Sequence, residues 1–428
     1  MSTVLGIPLP AAWAVAPLKH VSSLLNRGSA PNYVDEGPVR AVSQAANQEG
    51  GLDWSRTRFH DFSGDPKSLK GYLHSNDVLI NSTGTGTLGR IGYFSEAPDG
   101  LPCMADTHVT IARAKSGELD ARFSFYWLGA RPFQEYVYAA LVVGATNQIE
   151  LNRDRLGDAP IPLPPLEEQR RIADFLDAET GRLDRLIALR KRNKQLVLER
   201  SEAVVSSFFS RAEGKREYRF RDLMKSNPCY GVLVPKFADT GVSLIRVSDL
   251  GKLDDNLERL PKIEEEQAKE YRRTRISPGD LLITVVGATI GRCDVAPETA
   301  DGFNVSRALA RIQLLPSISP QMIASWVRGK DFRVQAELAT SGAAAQPALN
   351  MSDITHFSLW VPEDNSGRQL LASRVSDHEH RVQSLLAALQ RQLSLLAERR
   401  QALITAAVTG QFDVSTASGR NVTDGVHA

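Results

Sequence analysis

The sequence predicts an α/β (α+β) chain built from two homologous domains in tandem, each followed by a long helix. Two observations lead to this prediction: an internal repeat that extends over nearly the whole chain, and two proline-free segments whose apolar residues recur with heptad spacing. The composition agrees, because 42% hydrophobic and 24% charged residues are typical of globular proteins. With 428 residues the chain is long enough for more than one domain with its own core.

The internal repeat is the strongest feature of the sequence. Residues 77–80, Asp-Val-Leu-Ile, return at 280–283 as Asp-Leu-Leu-Ile, an offset of 203 residues. Further matches follow at an offset of 198 residues, namely Ala112-Arg113 with Ala310-Arg311, Gly144-Ala145 with Gly342-Ala343, Gln148 with Gln346, and Pro164 with Pro362. Units of this length are too long for the repeats of a solenoid, so two tandem domains are predicted.

Each copy begins with short β-type runs that are separated by Pro, Gly, Asn and Asp, the residues typical of turns. A proline-bearing boundary then follows, at residues 160–165 in the first copy and at Pro362 in the second. These boundaries predict domains at 1–165 and 213–362. We expect residues 413–428 to form a flexible C-terminal tail.

The segments 166–212 and 363–412 are predicted to be helices, because they lack proline and carry apolar residues at heptad spacing. The predicted seam consists of Leu183, Ile187, Val197, Val382, Leu386, Leu389 and Leu396. Arg190 and Lys194 weaken it in the first helix. We expect the two helices to pair, because their seams match in length and neither copy offers another partner. The alternative is two amphipathic helices that each lie on their own domain.

Several motifs resemble catalytic or cofactor sites without meeting their requirements. Residues 84–89 have Gly-x-Gly-x-x-Gly spacing but continue as a strand-like run, which favours a turn over a dinucleotide loop. Residues 227–230, Asn-Pro-Cys-Tyr, lack the second proline of the adenine methyltransferase motif. The sequence contains no P-loop, and Cys103, Cys229 and Cys293 form no zinc-binding pair. We therefore predict no catalytic residue, no metal and no cofactor.

The overall charge gives no argument for a polyanionic partner. Lys and Arg number 51 against 50 Asp and Glu, a net charge of +1. No apolar run approaches the roughly 20 residues that a membrane span requires. The few scattered cysteines fit a reducing compartment, so a cytoplasmic location is predicted.

Five segments, together with the duplicated layout, point to one family. They are the opener 7–13 (Ile-Pro-Leu-Pro-Ala-Ala-Trp), the turn 279–283 (Gly-Asp-Leu-Leu-Ile), the element 148–152, the junction 162–173 and the end of the second helix at 395–410. Together they resemble the specificity subunits of type I restriction–modification systems. The resemblance covers almost the whole chain, and the junction is its most specific part.

The resemblance implies that 1–165 and 213–362 are target-recognition domains, each of which reads one half of a split sequence in double-stranded DNA. The two helices would be the family's conserved helices and would form an antiparallel coiled coil that sets the spacer. The chain would be non-catalytic and cofactor-free. It would work with two methyltransferase subunits, which use S-adenosylmethionine, and with ATP-dependent restriction subunits.

Base reading requires polar side chains on loops that reach the edges of a groove. The candidates are Asn81, Thr83, Arg90, His108 and Gln148 in the first domain, and Arg246, Arg292, Ser306, Arg307 and Gln346 in the second. A structural role is the alternative for residues that repeat, because readers of different half-sites should differ between the copies. Two other functions stay open: a non-DNA scaffold made of a duplicated α/β module and a coiled coil, and an enzyme with unrecognised catalytic motifs.

Overall fold

The chain packs as two units. The computed structural model describes residues 2–48, 51–84, 86–144, 149–251, 253, 257–341 and 347–414. Unit 1 contains residues 1–189 and 392–428, and unit 2 contains residues 190–391. Since this division falls inside the two long helices, each unit holds one strand-rich section and part of each helix. The recognition-domain boundaries at 165, 213 and 362 stay predictions, and residues 415–428 of the predicted tail lie outside the described part.

The helices differ greatly in length. In chain order the α-helices are α1 (Ala121–Gly129), α2 (Arg131–Tyr136), α3 (Arg153–Asp158), α4 (Leu166–Ser210), α5 (Glu265–Glu270), α6 (Pro320–Val327), α7 (Lys330–Thr340), α8 (Met351–His356) and α9 (Asn365–Val408). A π-helical turn, Val137–Leu141, continues α2. Among the described residues, none of the helices is long and apolar enough to cross a membrane.

Unit 1 is built around two four-stranded sheets. Its strands are β1 (Thr3–Val4), β2 (Ile7–Pro8), β3 (Ala14–Pro17), β4 (Ser22–Arg27), β5 (Tyr33–Val34), β6 (Val39–Val42), β7 (Asn47–Gln48), β8 (Gly51–Leu52), β9 (Arg58–His60), β10 (Asp77–Asn81), β11 (Ile91–Phe94), β12 (Cys103–Ala105), β13 (Val109–Ala114), β14 (Val142–Val143), β15 (Glu150–Leu151) and β16 (Pro160–Leu163). One sheet has the order β11-β10-β13-β4 and the other β12-β6-β9-β5, with β12 parallel to β6. Strand β10 is buried on both faces, because Val78 and Ile80 enter one apolar cluster and Leu79 enters another.

Unit 2 repeats this plan. Its strands are β17 (Lys215–Arg219), β18 (Cys229–Tyr230), β19 (Phe237–Ala238), β20 (Val242–Ile245), β21 (Lys262–Ile263), β22 (Leu281–Thr284), β23 (Cys293–Val295), β24 (Asn304–Val305), β25 (Leu309–Ile312) and β26 (Ser358–Pro362). The orders β23-β22-β25-β18 and β24-β20-β21-β19 match those of unit 1, and β24 is parallel to β20. The predicted duplication is therefore confirmed.

In each unit, two of the residues that first identified the repeat form an ion pair within the antiparallel sheet. In unit 1, Arg113 Nε lies 2.7 Å from Asp77 Oδ1. In unit 2, Arg311 Nε lies 2.5 Å from Asp280 Oδ2. Both aspartates are buried, and each ion pair joins the central strand of its sheet to the neighbouring strand. A buried carboxylate needs such a partner, which explains why the pair occurs in both copies.

The long helices end slightly inside the limits predicted from the sequence. The segment predicted at 363–412 forms α9, whose N-cap is Asp364: its Oδ1 accepts a hydrogen bond from Gly367 N at 2.7 Å. At the other end Gly410, with φ of 68°, adopts the left-handed conformation that terminates helices. The segment predicted at 166–212 forms α4, which ends at Ser210.

In unit 2, α4 and α9 lie side by side in opposite directions. Lys194 Nζ donates to Gln390 Oε1 at 2.9 Å, and Ser201 Oγ lies 3.1 Å from His378 Nε2. The contact position on α9 moves towards its start as the position on α4 advances, so the helices are antiparallel. Lys194, a polar residue at the predicted seam, is accommodated by this hydrogen bond to Gln390.

Unit 1 contains the same kind of pairing between its portions of the two helices. Arg400 Nε donates to Asp184 Oδ1 at 2.8 Å, and Leu183, Leu403 and Ile404 belong to one buried cluster. The predicted pairing of the helices is confirmed. Of the predicted seam residues, Leu183 and Leu389 are buried, while Ile187, Val197, Val382, Leu386 and Leu396 are half-buried. The idea that these residues set the spacer stays a prediction.

Candidate nucleic-acid interface

Four of the candidate DNA-binding residues of unit 1 lie close together at one end of its antiparallel sheet. Asn81 is the last residue of β10, and it is fully buried. Its Nδ2 donates to the carbonyl of Gln44 at 3.1 Å, and its Oδ1 accepts from Asn47 Nδ2 at 3.0 Å. These bonds favour a structural role for Asn81, which anchors the segment after β6 to the end of β10.

The half-buried Thr83 and the exposed His108 belong to the same cluster. Thr83 Oγ1 lies 3.0 Å from Gln44 Oε1 and 2.8 Å from His108 Nδ1. The backbone N of His108 donates to Asp106 Oδ1 at 2.8 Å, and burial raises the pKa of the Asp106 carboxyl above its usual range. The imidazole is therefore held at Nδ1 by Thr83, and Nε2, which has no hydrogen-bond partner among the described residues, is left to contact a base edge as donor or acceptor.

Arg90 and Arg292 make the same bond in the two units. Arg90 Nη1 donates to the carbonyl of Asn47 at 3.1 Å and to Gln48 Oε1 at 3.1 Å. Arg292 Nη2 donates to the carbonyl of Leu250, which stands 203 residues after Asn47 and so occupies the equivalent place. The same residue type makes the same hydrogen bond in both units, which a shared role in the fold explains. A structural role is therefore favoured over base reading for Arg90 and Arg292.

The turns at residues 106–108 and 306–308 have the same backbone and different side chains. Their shared hydrogen bonds are Asp106 N to Val42 O at 3.0 Å and Val109 N to Asp106 O at 3.3 Å in unit 1, and Ser306 N to Ile245 O at 2.9 Å and Leu309 N to Ser306 O at 2.9 Å in unit 2. The side chains are Asp-Thr-His in the first turn and Ser-Arg-Ala in the second. Equivalent placement with different chemistry is what two readers of different half-sites require.

Two exposed arginines lie at the second turn. The backbone N of Arg307 donates to Val232 O at 2.9 Å, and its side chain forms no ion pair with the described residues. Arg246 directly follows Ile245, the residue to which the turn is bonded, and its Nε lies 3.1 Å from Asp249 Oδ2. Arg307 is therefore the more available donor of the two.

Sequence reasoning missed three residues of the cluster in unit 1. Gln44 and Asn47 connect Asn81, Thr83 and Arg90, while Thr107 is exposed at the tip of the turn 106–108. The signal for the first two was the small and polar run at residues 43–48, directly after a β-type run. The candidates Gln148 and Gln346 lie outside the described residues.

The cysteines have environments that suppress nucleophilic chemistry. Burial raises the pKa of the Cys103 thiol to about 12 and that of the Cys293 thiol also to about 12. Burial also raises the pKa of the Cys229 thiol. Since the thiolate is the reactive form, these side chains stay protonated and inert near neutral pH.

Comparison with known proteins connects this geometry to one family. Residues 44–200 match the family model described as "Type I restriction modification DNA specificity domain". The chain is similar to the "Type I restriction enzyme EcoBI specificity subunit" of Escherichia coli, with 25% identity over 364 residues that cover 75% of each protein.

Two solved structures share the fold. A chain described under "Structural basis underlying complex assembly and conformational transition of the type I R-M system" superposes with a TM-score of 0.70 at 19% identity, covering 95% of this chain and 100% of that one. The HsdS subunit from Thermoanaerobacter tengcongensis superposes with a TM-score of 0.51 at 20% identity, covering 96% of this chain and 100% of that one. The family-model match and the similarity to the EcoBI subunit confirm the resemblance to type I restriction–modification specificity subunits that the sequence motifs carry, and the two solved structures show the shared fold.

Proposed function

We propose that the strand-rich sections of unit 1 and unit 2, residues 1–165 and 213–362, each read one half of a bipartite target in double-stranded DNA. The observation that carries this proposal is the pair of turns 106–108 and 306–308. They have the same backbone bonds and a different set of exposed side chains. A duplicated reader of a single identical half-site would have no reason to differ there.

The chemistry of the two turns suits the reading of base edges in the major groove. Arg307 can donate two hydrogen bonds to the N7 and O6 atoms of a guanine, the commonest specific contact in protein–DNA complexes. His108 and Thr107 offer a ring nitrogen and a hydroxyl, which can act as donor or acceptor. The two units therefore present different recognition chemistry on one scaffold.

The paired helices α4 and α9 are the elements that we propose set the spacer between the two half-sites. Helix α4 has 45 residues and extends about 65 Å at the rise of an α-helix. The pairing of α4 with α9 within each unit supports this proposal.

The chain itself is proposed to be non-catalytic and without a cofactor. The cysteine thiols are held protonated by burial, and the glycine-rich segment at residues 84–89 lies in the turn between β10 and β11 rather than before a helix. Methyl transfer with S-adenosylmethionine and ATP-driven cleavage would belong to partner subunits, two for methylation and further ones for restriction. Such a complex would act in the cytoplasm, where chromosomal DNA is accessible. The comparisons do not favour the scaffold alternative.

Methylation mapping tests the proposal. The chain is co-expressed with its methyltransferase partner, and the methylated motif is compared for wild type, Arg307→Ala and the control Arg374→Ala, which removes an exposed arginine on α9. Arg307→Ala should relax one base position of one half-site, since loss of a base reader costs about 1–3 kcal/mol. The control should leave the motif unchanged. An unchanged motif in Arg307→Ala, or changes in both half-sites at once, would contradict the proposal.

A further inference from the structure

Unit 2 carries an exposed apolar loop that unit 1 lacks. The side chains of Leu233, Val234 and Phe237 are 57%, 69% and 61% exposed. The residues 203 positions before Leu233 and Val234 are Ala30 and Pro31 of unit 1, and the strand register aligns Phe237 with Tyr33, which is half-buried. A single exposed leucine needs no explanation, but three large apolar side chains within five residues form a patch of the kind that marks a binding surface.

The loop is held in place by buried contacts. The side chain of Gln267 is buried: its Nε2 donates to Val234 O at 2.9 Å, and its Oε1 accepts from Lys236 N at 2.8 Å. Val232, at the base of the loop, is fully buried, and its N donates to Val305 O at 2.7 Å. The apolar side chains are therefore presented to solvent by a defined backbone and do not result from an unpacked segment.

The loop adjoins the proposed reading turn of unit 2. The backbone N of Arg307 donates to Val232 O at 2.9 Å, so Leu233 is the residue next to a direct hydrogen bond with the turn 306–308. Two exposed cations belong to this region: Lys236 lies within the loop, and Arg307 is bonded to the base of the loop through its backbone. Glu264 contributes a carboxylate close to Lys236, since its backbone N donates to Lys236 O at 3.2 Å. The combination of apolar side chains with a guanidinium that forms no ion pair within the described part of the chain suits base edges more than a stretch of phosphates.

We propose that Leu233 and Val234 contact the 5-methyl groups of thymines in the half-site read by unit 2. This inference rests on the function proposed above and adds the chemical feature that is read. The thymine methyl is the apolar group that the major groove displays, and apolar side chains distinguish it from the other base edges. In unit 1 the equivalent residues are Ala30 and Pro31, which present less apolar surface, so the methyl reading is specific to unit 2.

Deoxyuridine substitution gives a direct test. The chain in complex with its methyltransferase partner is titrated with duplexes that carry its mapped motif, in which each thymine of the half-site affected by Arg307→Ala is replaced in turn by deoxyuridine. The proteins are wild type, the double variant Leu233→Ser with Val234→Ser, and the control Leu338→Ser, whose side chain is 70% exposed on α7 of the same unit. The substituted side chains, Leu233, Val234 and Leu338, are all exposed, so we expect the variants to fold.

The expected result is coupling between the loop and the methyl group. Removing one methyl should weaken wild-type binding about fourfold, which corresponds to about 0.8 kcal/mol. The loop variant should bind the thymine and deoxyuridine duplexes equally, and the control should behave as wild type. An equal deoxyuridine penalty in wild type and loop variant would overturn the proposal, as would a half-site without an A·T pair. A loop variant that loses the partner subunit with DNA recognition intact would indicate a protein contact instead.

The outcomes separate this inference from the function on which it rests. If the wild-type complex does not distinguish its motif from an unrelated duplex, the proposed DNA-reading function is wrong. If the wild-type complex does distinguish its motif, the loop variant can still lose the same factor of affinity, relative to wild type, for the thymine and for the deoxyuridine duplexes. In that case DNA reading stands and the methyl contact is wrong.

Discussion

Replacement of Asp77 by alanine removes the buried carboxylate that joins β10 to β13. Arg113 Nε and Nη2 lie 2.7 and 2.8 Å from the two oxygens of Asp77, a bidentate arrangement. Asp77 Oδ2 also accepts from His74 N at 2.7 Å. Asp77 is fully buried and the Arg113 side chain is 24% exposed, so little water can replace the lost partner.

The magnitude follows from what remains after truncation. Arg113 would keep one hydrogen bond, from Nη2 to Tyr72 O at 3.1 Å. Removing one partner of a buried ion pair costs about 3–5 kcal/mol, and the partial exposure of Arg113 places the expected loss at about 3 kcal/mol. Truncating both partners, Asp77→Ala with Arg113→Ala, should cost less than the sum of the single changes because no unpaired charge is left.

Hydrogen exchange of the backbone amides of β10 and β13 measures the local free energy of opening, which global unfolding of a chain with two units cannot resolve. The matched control is Glu118→Ala, which breaks the Lys115–Glu118 pair, whose side chains are about half exposed. That control should cost less than about 1 kcal/mol. A loss below about 1 kcal/mol for Asp77→Ala, or a double variant as destabilised as the sum of the single variants, would refute the buried-pair argument.

Three further predictions concern Arg292, the helix seam at Leu389 and the absence of methyl transfer by the chain alone. Arg292→Ala should lower exchange protection near Leu250, its hydrogen-bond acceptor, and leave the methylated motif unchanged; a relaxed base position would show that this arginine reads DNA. Leu389→Asp places a charge at a buried seam position and should cost several kcal/mol of local stability, measured by hydrogen exchange of the α9 amides, whereas Leu385→Asp, on the exposed side of the same helix, should be tolerated. Equal losses in the two variants would contradict the seam. The purified chain, incubated with DNA and labelled S-adenosylmethionine, should transfer no label above background, and incorporation that survives repurification would contradict a non-catalytic chain.

The sequence predicts the duplicated layout and both long helices, because a repeat and a heptad pattern are local in the chain. The helix ends differ by a few residues, since they depend on single caps: Asp364 starts α9 and Gly410 follows its end. Neither cap is distinguishable in the sequence from other aspartates and glycines near the predicted ends.

The candidate site is predictable only in part. Asn81 and Thr83 could be predicted because they lie at the end of a conspicuous strand pattern, and the structure does bring them together with Arg90 and His108. Their roles depend on Gln44 and Asn47, which come from a distant segment and reach the cluster through tertiary packing. The structural equivalence of the turns 106–108 and 306–308 becomes visible only when their backbone hydrogen bonds are compared, because their side chains do not match.

A domain exchange tests the central claim most directly. Residues 1–165 are replaced by the corresponding domain of a relative with a different specificity, the chimera is expressed with the methyltransferase partner, and the methylated bases are mapped. If each unit reads its own half-site, one half of the motif should change, while the other half and the spacer should stay the same. If both half-sites change together, the two units read DNA jointly and the modular account is wrong.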